Sequence, residues 1–539
     1  MTQSDKKQPA INQGEKFLKQ FEAAQSRKQP WEKTYQEALS FAAPHRAGSQ
    51  SGGQSGGSNG FAQVYDATAI TAFQKFASNL QMSLVPPFKK WVNFVPGRLI
   101  DSADKPRLAK ALEDIRDAFF SYLQVSNFDT QIAESLLDLG LGTGAMLVQK
   151  GQNGQPLHFT AVPLAQLYLE EGANGTVASV FRKHAVPAGT LKDTWPDATL
   201  NTQLTEAAAK TPDRDIDLIE GTVPARIEVK NNKTGQKEQR DGYIYTVLEP
   251  KKKHVLVRRE MTSSPWVVFR YSVFPGEIYG RGPLLQALPD IKTLNKTKEL
   301  ILKNASLSVA GAYTVADDGV VNIDNIRIQP GALIPVASNG GGVNGPTLTP
   351  LPRSGDFNVG QILIEELRRS VNDMLFADPF GGLDLPTKTA TEVALRQQAL
   401  AKQMGSAFGR LQFELLAPLV NRILHVLEEQ GLIDLSDFRV DGGVIDIEHL
   451  SPLALAQEQS ELTNLLRYGE TMTRLFGPQL GLLLIKPQLF AQKVAQLLGV
   501  PADMAPTDED VAALREAFTA LNGQQQLNTE DAGHEQQDK

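Results

Sequence analysis

A multidomain α+β fold is predicted for this chain by three features. Apolar residues recur at helical spacing along one long stretch, Lys388 to Gly431. A block from about residue 157 to 274 alternates as strands between polar turns. And 539 residues are too many for a single hydrophobic core, so helices and strands must be shared among several domains.

The long stretch carries the strongest signal. Thr389 and Glu392 have the spacing of a capping box, the reciprocal pairing that satisfies free amides at a helix start. Val393, Leu400, Met404, Ala407, Phe408, Leu411, Leu415, Leu419, Ile423 and Val426 then form one apolar stripe, and Gly431 ends it. At ~1.5 Å per residue an unbroken helix here would be roughly 60 Å long. Pro418 lies inside it and lacks a backbone donor, which predicts a kink near Glu414 to Pro418. Two helices broken at Pro418 are the alternative.

In chain order, residues 12 to 43 show a helical pattern with Phe17, Phe21, Ala24, Trp31, Tyr35, Ala38 and Leu39 before Pro44. The tract AGSQSGGQSGGSNG, 47 to 60, cannot bury a core and reads as a flexible loop. Ala69, Phe73, Phe76, Ala77, Leu80 and Leu84 share the next helical face, which Pro86 and Pro87 end. Helical spacing returns at Leu108 to Leu123 and Phe128 to Leu139. The glycines at 140, 142 and 144 follow a helix and precede the strand-like AMLVQ, the reverse of a dinucleotide loop, so they read as a tight helix-to-strand turn.

The segments HFTAV, TVASVFRKHA, ARIEVK, YIYTVLE, KHVLVRRE and WVVFRYSVF are expected to form an antiparallel sheet on the earlier helices. A helix follows from about Leu284 to Ala310, where Lys292, Lys296, Lys298 and Lys303 outnumber Asp290 and Glu299. Such a face either is simply solvated or faces a polyanion. Residues 311 to 356 are short strands with glycine-rich turns. The helix Phe357 to Phe376 is acidic, with Glu365 placed to pair with Arg369 and the whole helix able to lie against its basic counterpart.

ADPFGGLDLPTK, 377 to 388, cannot be helical and forms a loop between long helices. FRVDGGVIDIEHL alternates like a strand pair. Ser451 and Pro452 read as the cap and first position of helices that run to about Leu521, and the polar end of the sequence is expected to be disordered.

Composition bounds the chemistry. There is no cysteine, which excludes disulfides and thiol chemistry, and a net charge of −7 argues against a surface that wraps nucleic acid tightly. No apolar run is long enough to span a bilayer, and the N-terminal lysines are not followed by an apolar signal core. Neither a phosphate loop nor HExxH is present, and the seven histidines stand singly, so no cofactor, metal or active site is expected. The chain is read as a non-enzyme.

Five segments occur together in a specific order: WEKTYQEALSFAAP, VYDATAITAFQKFASNLQMSLVPPFKKW, LGTGAMLV, EIYGRGPLLQALPDIKTLN, and TATEVALRQQ leading to LLAPLVNRIL. In this order the chain resembles the head-to-tail connecting, or portal, proteins of short-tailed double-stranded DNA bacteriophages over roughly residues 10 to 520. The glycine and serine tract is a local feature outside the resemblance.

The resemblance implies a homo-oligomeric ring of twelve copies at one capsid vertex, enclosing the channel for packaging and ejection of double-stranded DNA. It implies N-terminal helices and the loop at 1–60, a wing at 61–283, stem helices at 284–310 and 357–376, and a clip at 311–356. It further implies a tunnel loop at 377–388, a long kinked helix with a return to the wing at 389–450, a helical crown at 451–522, and a tail at 523–539. Lys292, Lys296 and Lys303 are the candidate DNA-facing residues of the stem. Asp378, Pro379, Phe380, Gly381, Gly382, Leu383, Asp384 and Leu385 are the candidate tunnel loop.

Implied partners are the capsid protein, a terminase motor, tail adaptor and tail tube proteins, and scaffolding and internal core proteins, with no membrane. The implied location is the head-tail junction of the virion, after assembly in the host bacterial cytoplasm. Another virion structural component, or a nucleotide-binding enzyme using the 140–144 glycines, are the competing readings.

Overall fold

The computed structural model describes residues 10–47, 60–87, 89–96, 105–151, 154–230, 237–310, 313–317, 333–337, 348–350, 357–377, 405–435, 445–449, 452–484 and 487–498. In chain order the elements are α1 (Ala10–Ala42), α2 (Pro44–Ala47), α3 (Thr68–Leu84), β1 (Val92–Pro96), α4 (Lys105–Val125), α5 (Phe128–Leu141), β2 (Thr143–Lys150), β3 (Leu157–Ala161), β4 (Leu167–Glu171) and β5 (Val177–Pro187). Next are α6 (Leu191–Thr194), α7 (Thr202–Lys210), β6 (Asp215–Lys230), β7 (Lys237–Glu249), β8 (His254–Met261), β9 (Trp266–Arg270), α8 (Pro283–Ala310), β10 (Tyr313–Asp317), β11 (Leu333–Ala337) and β12 (Leu348–Pro350). The last are α9 (Phe357–Met374), α10 (Ser406–Leu411), α11 (Ala417–Glu429), β13 (Ile445–His449), α12 (Pro452–Leu484) and α13 (Pro487–Leu498).

The chain divides into two compact units, one of residues 1–82, 122–387 and 402–432, the other of 83–121, 388–401 and 433–539. The first unit holds an antiparallel five-stranded sheet in the order β4-β5-β6-β7-β8. Period-2 alternation divides its side chains between two small cores. Ile219 and Leu248 face Phe17, Phe21 and Ala24 of α1, with Phe181 in edge contact with Phe17 at 5.2 Å. Their neighbours Leu218 and Val247 face the other way, against Leu191, Trp195, Leu204 and Ala207 around α6 and α7.

A second sheet, β3-β2-β9, lies apart from the first in hydrogen bonding. The sequence predicts one sheet, but WVVFR pairs with β2 instead of β8, and β4, α6 and α7 were not anticipated. The pattern also understates β6, which runs through Pro224. That proline lies beyond the last β5 partner, Thr222, where β6 has a neighbour on one side only. Another core joins Tyr35, Ala38 and Leu39 of α1, Ala72 and Phe73 of α3, Leu284, Leu288 and Ile291 of α8, and Val371 and Leu375 of α9.

Two buried charges pin α1 and α5 to the turn between β3 and β4. Lys28 Nζ donates to the carbonyls of Leu164 and Ala165, each at 2.7 Å, and lies 4.3 Å from the Tyr168 ring centroid. Asp138 accepts from Leu164 N at 2.8 Å and from Arg46 at 2.9 Å. Burial pulls Lys28 down to about 7 and pushes Asp138 up to about 6. Between pH 7 and the ordinary lysine range the unfolded chain therefore holds the Lys28 proton more tightly than the folded one, so this group adds stability as pH rises. The stability difference between wild type and Lys28→Met should widen from pH 7 to 9 in urea titrations; a flat difference would contradict this environment for Lys28.

In the second unit β1 pairs antiparallel with β13, Val92 opposite His449. The described partner of IDIEH is thus a strand far up the chain, where the sequence suggests a local strand pair; residues 436–444 lie outside the described residues. Trp91 and Phe94 meet Phe119 and Phe120 in edge contacts at 5.7 to 6.1 Å. Within α12, Gly477 has a non-helical φ of 79° and divides the element, and Gly469 leaves room for Phe490 of α13.

The single 60 Å helix from 389 is corrected. Gly405, at φ 49° and ψ −118°, is non-helical, so the described helix begins at Ser406. The stripe is periodic across this glycine, and periodicity does not register a backbone break. Thr389 and Glu392 lie outside the described residues. The predicted irregularity before Pro418 is present, as a π turn over Gln412–Leu416. Pro418 cannot donate to Glu414, and the wider turn opens the ladder where the ring would meet that carbonyl.

Candidate functional site

The α8/α9 pair is built upward from two glycine turns packed backbone to backbone. Gly142 links α5 to β2 with φ 130°, and a Cβ there would lie 2.1 Å from the Gly280 carbonyl oxygen. One on Gly282 would lie 2.1 Å from the Gly140 oxygen. Gly282 N donates to Leu141 O at 3.1 Å, Tyr271 N to Gly142 O at 2.9 Å, and Gly280 N to Thr143 Oγ1 at 2.8 Å. The helix-to-strand turn expected at 140–144 is observed, and its carbonyls and the Thr143 hydroxyl accept from the amides of the 271–282 turn. Pro283 follows at the first position of α8, where its missing donor costs nothing.

Above this base α8 and α9 pack closely. Gly360 admits Ile301, whose Cδ1 would be 2.9 Å from a Cβ at 360. Asn295 of α8 holds the segment before α3: its Oδ1 accepts from Tyr65 N at 2.7 Å and its Nδ2 donates to Gln63 O at 2.9 Å. Arg368 of α9 donates to Asp66 at 2.6 and 3.1 Å, and Asp66 also accepts from Thr68 N at 2.9 Å. Burial alone would raise the Asp66 carboxyl, but hydrogen bonds from Thr68 and Arg368 outweigh it and hold it below its ordinary value. Ser370 donates to Asp290 at 2.7 Å, joining the two helices directly.

No pattern in the sequence marks Asp66, Asn295 or Arg368 as a clamp. Replacing Arg368 by methionine should cost about 1–2 kcal/mol, since Asp66 is buried but the arginine is partly solvated. Chemical denaturation would measure the loss, and an unchanged midpoint would contradict the clamp.

Lys292, Lys296 and Lys303, spaced four and seven residues apart, stack on one exposed stripe of α8. Each has a carboxylate partner. Lys292 Nζ is 2.6 Å from Glu37 of α1, and Glu299 takes Lys296 at 3.0 Å and Lys303 at 2.6 Å. The two lysines, by hydrogen bonding first, hold the Glu299 carboxyl below its usual range. The excess of lysine counted in the sequence is therefore largely matched.

On α9 the expected Glu365–Arg369 pair does not form; Glu365 accepts from Gln361 at 3.4 Å, and no ion pair joins α8 to α9 among the described residues. Leu300, Leu302, Ile362 and Leu363 remain exposed on the two helices.

The π turn is tied to β9. Glu414 accepts from Arg270 N at 3.0 Å, Nε at 3.1 Å and Nη2 at 2.8 Å, with Arg410 at 3.2 Å. Arg270 also donates to the carbonyls of Ile278 and Gly175. Pro418 thus belongs to a fixed junction. Among the described residues no group of three or more His, Asp or Glu could hold a metal, and no helix is long and apolar enough to cross a membrane.

Residues 15–505 match the family described as bacteriophage head to tail connecting protein. The chain belongs to that family. Among its relatives, a probable portal protein of Bordetella phage BPP-1 is 24% identical over 260 residues, 46% of this chain and 44% of the relative. The portal protein of Salmonella phage epsilon15 is 20% identical over 482 residues, 85% of this chain and 82% of the relative. The chain thus spans less than half of the first relative and most of the second.

A solved neck of an empty GTA particle, computed with C6 symmetry, aligns with 79% of this chain and 90% of its own at 12% identity and a TM-score of 0.33. For this head-to-tail connecting protein, the candidate tunnel-loop residues Asp378, Pro379, Phe380, Gly381, Gly382, Leu383, Asp384 and Leu385 lie outside the described residues.

Proposed function

We propose that this head-to-tail connecting protein acts as a portal, closing into a twelve-membered ring at one capsid vertex, with α8 and α9 lining the channel for double-stranded DNA. Family membership over residues 15–505 carries the reading, and the portal names of both relatives support it. Leu300, Ile362 and Leu363, exposed on the helix pair, suit burial against neighbouring copies, since an apolar patch of this kind marks an interface. Residues 311–356 would meet a terminase motor and later the tail adaptor, and 452–498 would stand inside the head. The protein has a conducting role at the head-tail junction, and the energy comes from the separate motor.

The charge arrangement suggests how DNA passes. A phosphate approaching Lys296 or Lys303 competes with Glu299, and one approaching Lys292 competes with Glu37. Few counterions are then released per contact, so DNA is guided without being held. Glu299→Gln would free two lysines per chain. The variant ring should retain DNA more strongly, with a salt slope steeper by about one unit for each phosphate newly neutralised, and package or eject more slowly. Lys296→Glu with Lys303→Glu should weaken retention without blocking assembly. Unchanged salt dependence and packaging in both variants would sink the lumen-facing assignment.

A further inference from the structure

A cavity of about 970 Å³ opens among β2, β3, the five-stranded sheet and α11, all within the first unit. One wall is internally matched. Tyr245 donates to Glu220 at 2.5 Å, Trp195 Nε1 donates to the same hydroxyl at 3.0 Å, and Arg182 lies 3.9 Å from Glu220. Arg259 is paired with Asp197. His184 also lines this wall, and its buried Nδ1 has no hydrogen-bond partner.

The other wall is not matched. Arg422 of α11 is 4% exposed, yet no carboxylate lies within ion-pairing distance of it among the described residues. Its Nε donates to Val148 O at 3.2 Å and its Nη1 to Ser263 O at 3.4 Å, leaving Nη2 with no protein acceptor. Burial lowers its pKa to about 10. Arg270 provides the internal comparison: equally buried, it has the bidentate carboxylate of Glu414. Glu429 acts on Arg422 only through space, so the guanidinium has no carboxylate in contact, which is costly, and an open cavity beside it offers a place for an anion. Lys150, at the end of β2 on the same cavity, also makes no ion pair among the described residues.

We propose that this cavity is a binding site for a small organic oxyanion, a carboxylate or a phosphate ester, seated on Arg422 Nη2 and Lys150. Glu220, Glu260 and Glu429 line the same space, the last two beside Arg258 at 3.8 Å and His425 at 3.6 Å. The volume exceeds that of a bare ion and lies in the range of ligand pockets. Leu147, Trp195, Met261 and Val426 supply apolar surface for the body of such a ligand.

The test uses the full chain, independent of any ring or portal role. Thermal unfolding and titration calorimetry would be run with inorganic phosphate, with glutarate, and with potassium chloride at matched ionic strength. Phosphate or glutarate should raise the Tm beyond the chloride control, and whichever acts identifies the headgroup. Lys150→Gln and Arg422→Gln should each weaken binding about tenfold, the loss of one charge-assisted hydrogen bond. Lys150 is exposed, so its variant decides the matter if Arg422→Gln fails to fold. No stabilisation beyond chloride by either anion, or undiminished binding in Lys150→Gln, would overturn the site.

Discussion

An alanine at position 142 should lower the melting temperature by about 3–4 °C, the consequence of roughly 3 kcal/mol lost at one site of a 539-residue chain. Two independent penalties combine there. The φ of 130° is one that side chains rarely adopt, and the added Cβ would meet Gly280 O at 2.1 Å and Gly280 C at 2.4 Å. Neither atom belongs to a flexible side chain, so relief requires moving the turn that starts α8. Gly154 is the control: its φ is 83°, but nothing lies within 4 Å of a Cβ there, so Gly154→Ala should cost only about 1 kcal/mol. Circular dichroism melts of the two variants would measure the contrast. Equal melting temperatures would contradict the interlocked turns. Packing accounts for the glycines that invite a nucleotide-loop reading: Gly142 lies against the Gly280 backbone, Gly140 against the Phe73 ring, and Gly144 against the Phe269 ring and the Ser135 carbonyl.

Replacing Arg270 by methionine should destabilise the protein by about 2–3 kcal/mol, because it leaves the part-buried Glu414 carboxylate with Arg410 alone and strands two carbonyls. Replacing both residues, Arg270→Met with Glu414→Leu, should restore a large part of the loss, since the uncompensated charge is then gone. Urea titrations of the double-mutant cycle give the coupling. Additive losses would show that the pair does not hold β9 to the π turn. This bond is strategic in the chain: the π turn precedes Pro418, and β9 leads through Gly280 and Gly282 into α8. A break at Glu414 would be felt at the base of the helix pair.

The sequence was most legible where a single period repeats. The faces of α1, α3 and α5 follow from apolar spacing, and most strands of the two sheets from alternation. Partner choice was not legible. WVVFR alternates correctly whether it pairs with β2 or β8, and IDIEH gives no sign that Val92–Pro96 is its neighbour. Gly405 shows the other failure: Met404, Ala407 and Phe408 keep the stripe in phase across a residue whose φ is positive, so the pattern continues where the backbone does not.

The polar clamps were hidden because they break the pattern that reveals a core. Lys28, Asp66, Asp138, Arg270 and Glu414 place charge where apolar residues are expected, and only geometry identifies their partners. The lysines of α8 fall between these cases. Lys296, Glu299 and Lys303 are spaced three and four apart, so their mutual pairing could have been read from the helix. The bond from Lys292 to Glu37 of α1 could not, because 255 positions separate them.

Electron cryomicroscopy of assembled particles containing this chain tests the central claim most directly. The account predicts a closed ring of twelve copies at one vertex, about twelve times the chain's 58.8 kDa, with Lys296, Glu299 and Lys303 of α8 on the wall of the central channel. The chain found away from the vertex, or a ring whose lumen is lined by other elements while α8 and α9 lie outside it, would contradict it.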